Sequence, residues 1–192
     1  MNKKKISGPA IFMYCIIAIT LITSIVCFVL YYKGICKRGV ILWTGITAFT
    51  IMYHLWVRII MGNVSKLFKK QLSYEQWWFK ERKFEKNLYE FLRVKDWKNR
   101  ALTYNPESFS LKTNSLEDIA NTMTKSEVDH WINEVISLST LLFALMWGEL
   151  WIFLITAIVA MIFDSQFIII QRYNRPRVKK ILEKTEMEKE MV

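Results

Sequence analysis

The line TKSEVDHWINEV sets Glu127, His130 and Glu134 at i, i+3 and i+7, a spacing that brings three side chains to one face of a helix. A histidine between two carboxylates has the parts of a general base. One carboxylate fixes the imidazole tautomer and steadies its charged form while the ring removes a hydroxyl proton. Acyl transfer to an alcohol needs that pairing. A structural reading stands beside it: Thr124-x-x-Glu127 has the form of a capping box, with Glu127 as a helix-start residue, and His130 next to Trp131 would then be an interfacial anchor.

A second set of candidates lies in FIIIQRYNRPR, Phe167 to Arg177, where an apolar run gives way to three arginines. The planar fork of arginine grips phosphate and carboxylate in bidentate fashion, so Arg172, Arg175 and Arg177 are candidates to hold a phosphorylated acyl donor or a developing oxyanion. Pro176 is expected to stop the helix and to bias Arg175 toward an extended backbone. An excess of basic residues at the cytoplasmic end of a membrane span accounts for the charge, but not for Gln171, Tyr173, Asn174 and Pro176 in the same place. Asp164 precedes Arg172 by eight residues, about 12 Å along a helix. An acid at that depth is a functional candidate by default, or else a hydrogen-bonded packing residue. His54 and Arg58, at i and i+4, either neighbour Asp164 or snorkel to the interface.

The elements that must position these residues are membrane helices. The chain of 192 residues is 53% hydrophobic and 15% aromatic, rich for a soluble protein. Residues 6 to 32 carry no charge and exceed the ~20 needed to cross a bilayer. Lys3, Lys4 and Lys5 precede this run, yet it is too long for a signal peptide and no small-x-small cleavage site follows. Further spans are expected over GVILWTGITAFTIMYHLWV, over Ile132 to Gly148, which at about 25 Å is short, and over Leu150 to Gln171. Thirteen lysines and arginines lie from Lys66 to Lys125 and seven from Arg172 to Lys189, against three between Lys33 and Arg38. That asymmetry places both termini in the cytoplasm. It also accounts for most of the formal charge of +10, which suits anionic lipid rather than nucleic acid, for which no recognition motif appears. Cys15, Cys27 and Cys36 have no metal or redox spacing, so no metal is expected.

The segment SYEQWWFKERKFEKNLYEFLRVKDWKNR reads as a basic amphipathic helix, with Trp77, Phe84, Leu88, Phe91 and Val94 on one face, lying in the headgroup boundary or facing a core. A loop through TYNPESFSLKTN follows, with helix resuming near Leu116. Organisation is thus residues 1–62, two spans; 63–130, the basic aromatic segment; 131–178, a hairpin ending in QRYNRPR; and 179–192, a solvated charged tail. The fold class is all-α, a polytopic membrane protein of about four transmembrane helices.

IIIQRYNRPRV, at Ile168 to Val178, resembles the C-terminal signature of the glycosyl-4,4'-diaponeurosporenoate acyltransferases, membrane enzymes that attach a fatty acyl chain to a glucosylated carotenoid. In the same order, MYHLWV at Met52 to Val57, VKDWK at Val94 to Lys98 and EVDHWI at Glu127 to Ile132 are similar to other elements of that family. Matching positions are Lys95, Trp97, Lys98, Glu127, His130, Trp131 and Gln171 through Arg177. The chain departs from the pattern after Lys98, at Asp164, where asparagine is expected, and in an additional N-terminal span. The resemblance implies O-acyl transfer to a sugar hydroxyl of a glycosylated carotenoid or related glycolipid in a bacterial cell membrane. Acyl-CoA or acyl carrier protein would be the donor, with no bound cofactor. His130 is expected as base, Glu127 or Glu134 as its orienting acid, and Arg172, Arg175 and Arg177 as donor ligands. Gln171, Tyr173, Asn174, Trp97, Lys98, Trp131 and Asp164 are expected to line the substrate site. The alternative is a non-catalytic membrane protein that recruits anionic lipid or organises a biosynthetic complex.

Overall fold

The computed structural model describes residues 8–101 and 106–190. Lys3 to Lys5, the first residues of the opening apolar run and the centre of the TYNP loop lie outside them. Among the described residues every regular element is helical: α1 (Gly8–Tyr32), α2 (Gly39–Val64), α3 (Glu85–Phe91), α4 (Val94–Trp97), α5 (Leu116–Ser139), α6 (Ala144–Trp147) and α7 (Leu150–Glu190), joined in part by short 3₁₀ turns. Three stretches, Gly8–Tyr32, Gly39–Phe68 and Leu150–Glu188, are long and apolar enough to cross a membrane. The protein is an all-α membrane protein.

The run from Ile132 to Gly148, expected as a further continuous span, is helical but broken. It consists of the last turns of α5, a 3₁₀ turn at Thr140–Phe143 and the single turn of α6, which ends at Gly148 with φ 73°. Its hydroxyls compete for the backbone: Ser139 Oγ donates to the Ile136 carbonyl at 2.7 Å and Thr140 Oγ1 to that of Ser137 at 2.6 Å, bonds that loosen a helix where they occur.

The chain forms two compact units, one holding the chain up to Met61 with Ile132–Phe163, the other Gly62–Trp131 with the chain from Asp164 onward. In the first, Ile46, Ile152 and Phe153 form a core covered by Phe28, Leu42, Leu141, Phe143, Ala144 and Trp147. Gly45 lets α2 approach α1, because a Cβ there would meet Cys27 Cβ at 3.0 Å and the Phe28 ring at 3.2 Å. Ile19, Val159 and Ile162 are exposed on the outer faces, as expected where lipid is the solvent. His54 is buried in this unit. Its Nδ1 lies 3.4 Å from Ser137 Oγ, and Arg58 Nη1 donates to the His54 carbonyl at 2.9 Å. Glu134 is also buried here.

In the second unit the basic aromatic segment is not one helix. A 3₁₀ turn at Trp77–Phe79, α3, α4 and a 3₁₀ turn at Lys98–Arg100 replace it, and Arg93 between α3 and α4 has φ 49°, a left-handed reversal that no continuous helix tolerates. The helical period is lost at that point. Trp77, Phe84, Leu88 and Phe91 are therefore exposed, whereas Val94 is buried with Phe79, Glu85 and Tyr89. α5 begins where expected, with Ser115 Oγ accepting from the Asp118 amide at 3.0 Å, an N-cap. Pro176 does not end α7, which continues to Glu190. Arg175, the residue that proline would push toward an extended backbone, is held by Glu127 and the Phe79 carbonyl, and this anchoring keeps the helix intact.

Candidate active site

Residues 164, 168, 171 and 175 of α7 follow the 4, 3, 4 spacing of one helix face, and all four side chains, Asp164, Ile168, Gln171 and Arg175, are buried. On α5 the corresponding inward stripe is Ala120, Thr124 and Glu127. Two polar constellations result, one at Asp164 and one at Arg172 and Arg175.

At the first, His130 Nδ1 lies 2.8 Å from Asp164 Oδ1. The imidazole stacks on Phe167, with centroids 4.7 Å apart and planes at 7°. Asp164 has no exposed surface, while His130 is half-buried. A carboxylate accepts at Nδ1, so the proton sits there and Nε2 keeps its lone pair. The acid against the ring is thus Asp164, and not Glu127 or Glu134 as the helical spacing suggests. Glu134 belongs to the first compact unit.

At the second, two guanidiniums meet two carboxylates. Arg172 donates from Nε and Nη2 to Glu85 Oε1 at 2.9 and 2.7 Å and from Nη1 to Glu127 Oε1 at 2.6 Å, and it also reaches the Trp78 carbonyl. Arg175 donates from Nη2 to Glu127 Oε2 and from Nη1 to the Phe79 carbonyl at 3.0 Å. The Tyr89 hydroxyl donates to Glu85 Oε2 at 2.8 Å; burial, and then this bond, raises the phenol pKa above its ordinary value. Trp131 Nε1 is 3.4 Å from Glu127 Oε1. Buried ions are tolerated only when paired and hydrogen-bonded in this way. The capping-box reading of Glu127 falls, because Thr124 is inside α5 and its hydroxyl donates to the Ala120 carbonyl at 3.0 Å. Arg172 and Arg175, expected to bind a donor phosphate, are instead consumed in holding α7 to α5, α3 and the Trp77–Phe79 turn.

The remaining signature residues also have partners. Gln171 Nε2 is 3.4 Å from Ser126 Oγ, and Asn174 Oδ1 accepts from Lys98 Nζ at 2.9 Å. The Tyr173 ring has Lys98 Nζ at 5.0 Å, the Arg177 guanidinium at 3.6 Å and the Tyr89 ring edge-on at 5.3 Å. Arg177 also donates to the Tyr173 carbonyl. Trp97 Nε1 donates to the Leu92 carbonyl at 2.9 Å, and Lys95 is exposed. Glu85 and Tyr89 are the participants that the sequence reading passed over. Their i, i+4 spacing within an otherwise basic segment was the available signal.

A family model described as glycosyl-4,4'-diaponeurosporenoate acyltransferase matches residues 75–184, more than half of the chain. The chain belongs to that family. No curated protein and no solved structure matches the chain. The matched region of this acyltransferase family contains VKDWK, EVDHWI and QRYNRPR, and starts after MYHLWV. The geometry joins the three short motifs: Lys98 of the first binds Asn174 of the third, and Glu127 of the second binds Arg172 and Arg175 of the third.

Proposed function

We propose that the protein transfers a fatty acyl group to a sugar hydroxyl of a glycosylated carotenoid or related glycolipid, with His130 as general base and Asp164 as the residue that orients it. The observation that carries this reading is the 2.8 Å contact between His130 Nδ1 and the wholly buried Asp164, within a chain of an acyltransferase family. Asp164 accepts the Nδ1 hydrogen bond and steadies the imidazolium. Nε2 takes the hydroxyl proton as the sugar oxygen attacks the acyl carbonyl carbon. For a thioester donor, acyl-CoA or acyl carrier protein, the carbon–sulfur bond then breaks and the imidazolium returns its proton to the leaving sulfur. The sequence has no GxSxG elbow and no reactive cysteine context, which favours direct transfer over an acyl-enzyme.

The basic segment and the basic end of α7 belong to one compact unit, which supports placing both on the cytoplasmic side of a bacterial cell membrane; the placing of both termini on that side rests on the lysine and arginine asymmetry of the sequence. Exposed Trp77, Phe84 and Phe91, with Arg82 4.2 Å from the Trp77 ring centre, suit a headgroup boundary. This patch equally favours the second reading, a lipid-recruiting protein without catalysis. Mass-spectrometric profiling of lipids and pigments separates the two, using cells with the intact gene, a deletion and His130→Ala at equal expression. Loss of one fatty acyl mass from a glycolipid in both the deletion and the variant is expected. A full profile restored by His130→Ala would replace catalysis with recruitment.

A further inference from the structure

With Arg172 and Arg175 consumed by Glu85 and Glu127, the cations left over in the second unit gather elsewhere. Lys98 and Arg177 both lie against the Tyr173 ring, and among the described residues neither has a carboxylate within ion-pair distance. Asn174 Oδ1, a neutral acceptor, is the side-chain hydrogen-bond partner of Lys98. Beside them is an open depression lined by Trp97, Arg100, Ala101 and Gln166, which adds a third cation and an indole wall. Burial, and then the neighbouring Arg177, lower the Lys98 pKa, and the second of these causes is the nearby positive charge. Four acids of this unit are committed elsewhere, Asp129 to Lys125, Asp164 to His130, and Glu85 and Glu127 to the two buried arginines, while Asp96, exposed on α4, makes no ion pair with Lys98 or Arg100.

We propose that Lys98, Arg100 and Arg177, grouped about Tyr173 and the Trp97 depression, bind the phosphate of an acyl donor that carries its thioester on a long arm. This rests on the acyl-transfer reading and names its donor class. Arginine and lysine in contact with one ring and free of carboxylates present convergent donors to a phosphate oxygen. The position of the cluster selects the kind of donor. Tyr173 is nine residues after Asp164, about 13 Å along the axis, and nine steps of 100° put it half a turn around the helix from the His130 pair. Gln166 and Arg177, exposed, share the Tyr173 side. An acyl phosphate or a glycerophospholipid, whose phosphate and acyl carbonyl are a few bonds apart, does not bridge that separation. A pantetheine arm between phosphate and sulfur does.

The test is coenzyme A binding, by titration calorimetry, to the full-length His130→Ala protein in phosphatidylcholine nanodiscs, alone and with added site variants. Lys98→Gln removes the charge while retaining a donor for Asn174. We expect Lys98→Gln and Arg177→Gln each to weaken coenzyme A about tenfold or more, with the loss shrinking as salt rises. Lys98→Arg should restore binding, and Lys180→Gln, farther along α7, should change it by less than about twofold. Equal melting temperatures show that the variants are folded. A parallel arm measures partition into phosphatidylglycerol nanodiscs. Unchanged coenzyme A affinity in both glutamine variants overturns the proposal, and so does an effect confined to phosphatidylglycerol, which assigns the cluster to a lipid headgroup. Acyl transfer by the His130 protein is measured separately: normal transfer by His130→Ala sinks the catalytic reading whatever the binding result, whereas lost transfer with unaltered binding sinks only the donor site.

Discussion

The two polar constellations on α7 use the same residue classes to opposite ends. Around Arg172 and Arg175 most donors and acceptors are engaged: Glu127 meets both guanidiniums, Glu85 takes a guanidinium and a phenol, and the Trp78 and Phe79 carbonyls accept further N–H groups, with the Nε of Arg175 left over among the described residues. At His130 one carboxylate fixes one ring nitrogen and leaves the other unspent, on a half-buried ring braced by Phe167. A densely paired network specifies a shape. A base with one nitrogen held and one available specifies a reaction. Rate and stability should therefore separate when the two sites are altered in turn.

The largest separation is expected at the histidine. His130→Ala should lower acyl transfer by roughly 10² to 10⁴-fold, the usual contribution of a positioned base, with a melting temperature close to that of the parent. Asp164→Ala should follow in rate. Asp164→Asn should retain more, because an amide oxygen still accepts from Nδ1 and holds the tautomer without stabilising the imidazolium. Transfer rates and thermal melts on the purified proteins check this. If His130→Ala melts early and its surviving folded fraction is fully active, the two sites are not different in kind.

Glu127→Ala should show the converse. Removing this wholly buried carboxylate strands the Arg175 guanidinium and leaves Arg172 with Glu85 alone, at a cost of about 3–5 kcal/mol of stability. The protein that remains folded should still turn over, since His130 is held by Asp164 and Phe167 and not by Glu127. Denaturation measured beside specific activity of the folded fraction decides it. A stable but inactive Glu127→Ala would move Glu127 from the clamp to the reaction.

The sequence carried the helices well and the partnerships poorly, for a physical reason. Long uncharged runs declare α1, α2 and the first half of α7, because only a helix satisfies its own backbone in lipid. Side-chain spacing brought Glu127, His130 and Glu134 to one face, but which acid meets the ring depends on α7, 34 residues away for Asp164. The partners of Arg172 and Arg175 are farther still, 87 residues for Glu85 and 96 for the Phe79 carbonyl. Local rules likewise placed a stop at Pro176 and a continuous helix across Arg93, and in both cases tertiary anchoring prevailed over local propensity. The family signature was legible as a string. That its arginines grip glutamates of this same chain was not, because an arginine fork suits a phosphate and a carboxylate equally.

A smaller effect tests how far the clamp is saturated. Tyr89→Phe deletes the hydroxyl that donates to Glu85 Oε2, while Arg172 still holds Oε1, so the cost should be about 1 kcal/mol with no change in transfer. Its pH dependence identifies the cause. The phenol pKa is raised on folding from its ordinary value of 10.0, by burial and then by the bond to Glu85, so the folded state binds this proton more tightly than the unfolded one. The stability it contributes is complete below pH 10.0 and is lost as pH rises above that value. The parent should therefore lose stability more steeply than Tyr89→Phe in alkaline denaturation curves, and the two should converge there. Parallel curves would mean that the hydroxyl is not buried against Glu85, and that the network around the arginines has room it was not credited with.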